Sequence, residues 1–319
     1  MRRLALAVVL AVLAAGCAIP HPKDSHGVTK VAASDAEVEQ IYDRYRDYRK
    51  DALDLLDEQP LTAVESGAVL AIDTGALRVA RRLLLTKAPD DTQDLQIRAV
   101  YAPRLDAYPL WFIVVVEDGV RDLTKVQIFQ RQSSTSPWLL VASPETLPST
   151  ELPAFDSDTT DALMPADPFR QGQLVMSPQK AVNAYAATLN NAAPTEDPVV
   201  SEDSFVTQMR AVANKQRQID GVTFSQQWTA RPVQYVIRAA DGGVLVFGTL
   251  ARVDDYQIEE GRYIDWPEGS EQKAFLSGRL YSSGELHYYH QILVYIPPDG
   301  DDKPVVLGQY GGVVDGIGY

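Results

Sequence analysis

A chain of 319 residues with a single cysteine has no internal disulfide to hold it together. Its fold must rest on burial, and 45% apolar residues are enough for more than one core. Only four histidines are present, so few groups can serve as acid or base near neutral pH. Positive charge is scarce too, with 29 basic side chains against 43 acidic ones. That balance excludes nucleic acid as a partner, because phosphate binding needs clustered lysine and arginine. It also disfavours a broad electrostatic footprint on anionic lipid. Long apolar runs are few. Leu4–Ala15 is too short to span a bilayer, which takes about 20 residues, and Trp111–Val116 has the length of a strand. Catalytic signatures are missing: no Gly-x-Ser-x-Gly, His-Glu-x-x-His, P-loop or complete dinucleotide fingerprint occurs.

What is there begins at the N-terminus. Arg2 and Arg3 precede the apolar stretch, and the order Leu13-Ala14-Ala15-Gly16-Cys17 ends it. This resembles a bacterial lipoprotein signal, which implies cleavage between Gly16 and Cys17 and a diacylglyceryl group on the Cys17 thiol. The leucine that such signals carry three residues before the cysteine lies four before it here, with Ala14 in its place. Cleavage would leave 27 basic and 43 acidic side chains, a formal charge of −16. The expected location is the extracytoplasmic face of the cell membrane, held there by the lipid.

Residues 17–33 read as a tether, with Pro20, Pro22 and Gly27 and little apolar patterning. His21 and His26 within it lack further ligands, so no metal is expected there. Ser34-x-x-Glu37 is a capping box, and Val38, Ile41, Tyr45, Tyr48, Ala52 and Leu55 then recur at helical spacing. Thr62–Lys87 reads as mostly helix, broken near Asp73-Thr74-Gly75. Four strands follow, at Leu95–Tyr101, Leu110–Glu117, Val126–Arg131 and Trp138–Ala142, separated by turn residues. Residues 34–143 thus form a first α+β unit. Residues 144–176 are an acidic linker rich in proline, laid along a surface through Leu152, Phe155 and Phe169.

The same order repeats in residues 177–319. Ser177 caps a helix with Pro178 in its first turn, and a second helix runs from about Glu202 to Gln218. Strands are expected at Thr223–Trp228, Val233–Ala239, Val244–Val253, Leu286–Ile296 and Val305–Tyr310, with hairpin turns at Asp241-Gly242-Gly243 and Asp299-Gly300. Tyr256–Ala274 interrupts the sheet as an acidic insertion. The fold class is α+β: two consecutive units, each with helices on one face of a curved antiparallel sheet. This order resembles the NTF2-like (cystatin-like) cone. With Tyr108-Pro109-Leu110-Trp111-Phe112, Pro137-Trp138-Leu139 and the signal, the chain is similar to secreted lipoproteins of high-GC Gram-positive bacteria with tandem units of this kind. The resemblance implies the fold and the anchor and brings no activity with it.

Few constellations suggest chemistry. Ser177–Lys180 and Ser270–Lys273 match Ser-x-x-Lys but lack the Ser-Asp-Asn and Lys-Thr-Gly elements of acyl-enzymes. Asp156, Asp158 and Asp161 lack the glycine and terminal glutamate of a calcium loop, and Asp299, Asp301 and Asp302 decorate a hairpin tip. Gly316-Ile317-Gly318 reads as a glycine-rich tail. His290 is the one catalytic candidate: with Leu286, Tyr288, Ile292, Val294 and Ile296 it shares the covered face of a strand. Its bland alternative is a core histidine, and only a pairing with Asp265 or Asp255 would make it a base. Strand aromatics (Tyr101, Trp111, Trp138, Trp228, Tyr235, Tyr288, Tyr310) could line a pocket for an apolar or sugar-like ligand, or simply fill cores. No cofactor or metal is implied. The expected function is a non-enzymatic binding or protein-interaction module, with another envelope protein or an apolar ligand as partner. The alternative is a carrier or enzyme with a cavity between helices and sheet.

Overall fold

The computed structural model describes residues 30–88, 95–146, 150–157, 162–276 and 278–319. The first half opens with β1 (Lys30–Val31), α1 (Asp35–Leu55), a 3-10 turn at Leu61–Ala63 and α2 (Gly67–Arg82). It continues through β2 (Leu95–Tyr101), β3 (Arg104–Leu105), β4 (Leu110–Asp118), β5 (Leu123–Arg131), β6 (Leu139–Ala142) and β7 (Glu145–Thr146). The second half has α3 (Pro178–Asn190), α4 (Ser204–Gln216), β8 (Val222–Ala230), β9 (Tyr235–Arg238) and β10 (Val244–Ile258). It closes with β11 (Ile264–Asp265), α5 (Glu271–Leu276), β12 (Arg279–Leu280), β13 (Ser283–Ile296) and β14 (Val305–Gly318). The α+β class and the repeated order of two helices followed by strands are both present.

The strands of the two halves join. One ten-stranded antiparallel sheet runs in the order β2-β4-β5-β7-β14-β13-β10-β8, with β6 on β5 and β9 on β10. The joint is β7: Thr146 pairs with Gly308 and Glu145 with Gln309. Gly308 permits this approach, since a Cβ there would lie 2.3 Å from the Glu145 carbonyl oxygen.

Both faces of this sheet are covered. In β4, Phe112, Val114 and Val116 pack under α1 with Val38, Tyr42 and Tyr45. The alternate residues Trp111, Ile113 and Val115 meet Tyr235, Leu245, Phe247 and Leu293 of the second half. In β10 and β13, Val246, Leu250, Ile292 and Val294 face α3 and α4. A single apolar cluster therefore lies between the two half-sheets. Period-two alternation gives way to the run Leu110–Val116 because both neighbours exclude water. Fully burying one Val, Leu, Ile or Phe side chain is worth about 1.5–3 kcal/mol, so this layer binds the halves firmly.

Several sequence expectations change. α2 is continuous through Asp73-Thr74-Gly75. Gly75 marks a close approach: a Cβ there would fall 1.8 Å from the Val313 carbonyl oxygen of β14. On α1, Tyr42 and Arg49 are buried, whereas Tyr48 is 40% and Leu55 71% exposed. A charged residue occupies the stripe, so the apolar pattern alone pointed one step aside. The last part of the expected tether is ordered, with β1 paired to β3. Described parts of the 144–176 segment are docked rather than merely laid on the surface. Leu163 is buried, and isolated bridges join Phe155 to Ala239, Pro165 to Ile237 and Leu174 to Pro298. Phe169, expected as a contact, is 69% exposed. Gly316-Ile317-Gly318 is the end of β14 rather than a tail, with Gly316 against Leu286 and Gly318 against Leu280. The Tyr256–Ala274 insertion folds back, placing Trp266 edge-on to Tyr256 at 5.2 Å. Asn190 blunts the exposed edge of β8: its carboxamide donates to the Trp228 carbonyl (2.9 Å) and accepts from the Trp228 N–H (2.8 Å).

Candidate functional site

His290 sits where the sequence placed it, on the helix-covered face of β13, and is 6% exposed. Its neighbours are rings: Trp228 at 4.9 Å, Phe205 at 5.4 Å and Tyr288 at 6.3 Å between centroids. Gly311 lies directly beneath, and a Cβ on it would approach Nδ1 to 2.2 Å. Neither ring nitrogen makes a hydrogen bond, and the nearby Gln309 Oε1 is likewise unbonded. Burial first, and the Arg252 guanidinium second, push the imidazole down to about 3. A histidine so hard to protonate is a poor general base at neutral pH. The considered partners are elsewhere: Asp265 binds Arg279 at 3.1 Å, and Asp255 holds the Gln257 carboxamide at 3.2 Å.

Arg252 completes this cluster. Its guanidinium lies 3.4 Å from the Tyr288 ring centroid and 5.3 Å from that of Trp228, and it pairs with Asp254 at 3.0 Å. Burial raises the Asp254 carboxyl, while Arg252 and Gln226 pull it back. Arginine, tryptophan, tyrosine and histidine thus occupy the space between α4 and the sheet. That space is where a cone-shaped pocket would lie.

A second buried polar cluster braces the first half. Arg49 Nη1 donates to Glu65 Oε1 at 3.2 Å and to Asp73, and the Tyr310 hydroxyl of β14 donates to Asp73. Glu65 is 1% exposed and Asp73 4%. Burial, followed by the neighbouring Asp73 charge, pushes the Glu65 carboxyl well above the usual carboxylate range. The Arg49 guanidinium, shared between Glu65 and Asp73, offsets this only in part.

Glu65 leads directly into the groove at the seam between the halves. This cavity of about 500 Å3 has one wall from the first half, including Ser66, Gly67, Gln130 and Ala142. Its other wall comes from the second half, with Arg231, Gln234, Thr249 and Tyr289. The groove exists because β10 changes partner here: β9 pairs with it up to Phe247 and β8 only from Leu250. Residues 231–234 bridge the gap, tied to β10 where the Arg231 N–H donates to the Thr249 carbonyl at 2.8 Å. Gln291 fixes the floor, accepting from the Ser143 N–H and donating to the Val141 carbonyl, each at 2.9 Å. Gln130 donates to the Tyr235 hydroxyl across the seam. The Arg231 guanidinium donates to the Tyr289 hydroxyl at 3.1 Å and lies 5.5 Å from that ring's centroid.

Of the aromatics singled out from sequence, Tyr235 reaches this groove. Trp138 packs on Phe112 at 4.9 Å, Tyr101 on Phe155 at 4.6 Å, and Tyr310 serves Asp73. Tyr289 and Gln291 alternate with His290 along β13 and so face away from it, and nothing else in the sequence marks them. Arg231, Ser66 and Thr249 carried no signal, because the wall forms only when distant segments meet. The serines in Ser-x-x-Lys are caps: Ser177 precedes α3, and Ser270 Oγ accepts from the Lys273 N–H at 3.2 Å. Lys273 is engaged instead by Asp265 and Glu268. Cys17, Gly16, His21, His26, Asp158 and Asp161 lie outside the described residues. Among the described residues no cluster of three or more metal-ligating side chains occurs, and no helix is long and apolar enough to cross a membrane.

No curated protein and no solved structure matches the chain. A sequence family described as a domain of unknown function, DUF8094, matches residues 29–318, a span that takes in both halves and the seam. The chain belongs to that family.

Proposed function

We propose that this chain is an extracytoplasmic, lipid-anchored binding module without catalytic activity, and that it takes its partner in the seam groove. The observation that carries the reading is the contrast between two spaces. The layers between helices and sheet are filled by side chains, Tyr185 and Trp228 in one half and Tyr42 and Phe129 in the other. The seam holds a groove of about 500 Å3, within the usual range for ligand sites. A carrier or enzyme built on a helix–sheet cavity is the weaker reading for the same reason, and His290 offers it no usable base. The repeated element order supports a finer proposal for the fold, that the halves are two NTF2-like units fused through β7 and β14. Anchoring through Cys17 would raise the effective concentration of the module at the membrane and make weak affinities useful.

Two experiments test the reading. Cys17→Ser should abolish lipid incorporation and release the protein into the medium; retention in the membrane fraction would defeat the anchor. A photo-reactive benzophenone side chain at Gln234, on the groove rim, should give a discrete cross-linked species in intact membranes. The same probe at Tyr263, on another face, should not. Identical patterns from both positions would remove the groove as the binding site.

A further inference from the structure

The chemistry of the groove narrows what can occupy it. Arg231 is the only charged side chain among the described residues that line it, on a chain where acids outnumber bases 43 to 29. No carboxylate is among these described lining residues, so a cationic ligand finds no counter-charge from them. A lipid tail fits poorly as well. It would strip water from the Gln234 carboxamide and the Thr249 hydroxyl without returning a hydrogen bond. A polyanion would meet one guanidinium, which already donates to Tyr289. What remains are paired donors and acceptors on neutral groups beside the apolar surfaces of Tyr235, Phe247 and Tyr289. Carboxamides and hydroxyls both give and accept hydrogen bonds, and aromatic surfaces receive C–H faces.

We propose that the seam groove binds a neutral, polyhydroxylated ring ligand, a short glycan. This rests on the groove being the binding site and adds the class of ligand. A sugar ring has the matching character: hydroxyls around its rim both donate and accept, while its faces carry C–H groups. Its rim hydroxyls meet Gln234 and Thr249, and its apolar face meets the ring of Tyr289. The rigid floor favours such a ligand, since Gln291 is held by two backbone groups and loses no freedom on binding.

The test uses the full-length protein in a detergent without a sugar headgroup, titrated with maltotriose, cellotriose and chitotriose. Binding is read by saturation-transfer NMR and calorimetry. At least one trisaccharide should bind, and Gln234→Ala and Tyr289→Leu should each weaken it about 2–10-fold, as loss of a hydrogen bond or a ring contact would. Tyr263→Ala should leave affinity unchanged, and melting curves establish that each variant is folded. A sugar that binds parent and groove variants equally overturns the proposal. If no sugar binds while the Gln234 probe still captures a specific partner, the glycan is wrong and the groove stands as the site. If both fail, both readings fall.

Discussion

The buried imidazole of His290 makes stability depend on pH in a calculable way. In the folded chain it titrates at about 3, whereas an exposed histidine titrates at about 6.5. A depressed pKa contributes stability that is complete above the unfolded value and is lost as pH falls through the window from 6.5 to 3. Between pH 7.5 and pH 5 the loss is about 2 kcal/mol, and at pH 4 about 3 kcal/mol, because the unfolded chain takes the proton that the folded one refuses. His290→Leu keeps the approximate volume and removes the titration. Urea unfolding of parent and variant at pH 7.5, 6, 5 and 4 should therefore show the two converging as pH falls. Whatever packing difference separates them at pH 7.5, the variant should gain about 2 kcal/mol on the parent by pH 5. Carboxylates held low by partners, such as Asp118 with Arg121 and Glu202 with Arg210, also cost stability in acid, but they are common to both chains and cancel. Parallel pH profiles for the two proteins would refute the argument and imply that the imidazole is solvated or bonded in solution.

Other substitutions probe the seam and the braces around it. Gly75→Ala should destabilise by about 3 kcal/mol or prevent folding, because the methyl would collide with β14 backbone rather than a movable side chain; thermal melting measures this directly. Arg49→Met should cost about 3–5 kcal/mol by leaving Glu65 and Asp73 buried without their cation. Glu65→Gln should cost less than about 1 kcal/mol in acid, where glutamine mimics the protonated carboxyl that burial favours. Stability from a raised carboxyl is complete below the ordinary carboxylate value and is lost as pH climbs from there through the raised one, so the parent should weaken relative to Glu65→Gln as pH rises from acid. Gln291→Leu should cost about 2–4 kcal/mol through the stranded Ser143 N–H and Val141 carbonyl, and should loosen the groove in hydrogen exchange.

Local order was readable where local chemistry sets it. Ser34 and Glu37 cap α1, with the Ser34 N–H reaching Glu37 Oε2 at 3.4 Å, and Ser177-Pro178 opens α3. Period two in Leu286–Ile296 put His290 on the buried side, and it is there. What stayed hidden depends on the opposite half. Asp73-Thr74-Gly75 looks like a helix breaker until β14 lies across it. Then glycine admits the strand and aspartate meets both Arg49 and Tyr310. Arg49 carries no sequence signal because its partners, Glu65 and Asp73, lie 16 and 24 residues away. One long-range signal was present: Leu110–Val116 and Val244–Phe247 are apolar without alternation, which marks strands covered on both faces. Reading helices onto one face only left that second cover unexplained.

The second cover also explains why a groove opens at the seam and not under the helices. A helix laid on a sheet can adjust its register until side chains fill the layer, as α1 and α3 do. Two twisted half-sheets packed back to back diverge away from their line of contact, since each strand is rotated against the next by about 20–25°. The contact line here is the cluster around Ile113, Val126, Leu245 and Leu293. β9 ends beyond it and β6 finds no further strand, so the wedge between them is floored by Gln291, walled by strand residues such as Gln130, Phe247 and Tyr289, and rimmed by the loop residues Ser66, Arg231 and Gln234. Polar side chains collect in that wedge because water reaches it. Tyr235, Phe247 and Ile292 belong to the cores as well as to the groove, whereas Gln234, Arg231 and Tyr289 do not. Substitution at Gln234, Arg231 or Tyr289 should therefore reshape the groove at little cost in stability, which thermal melting would measure.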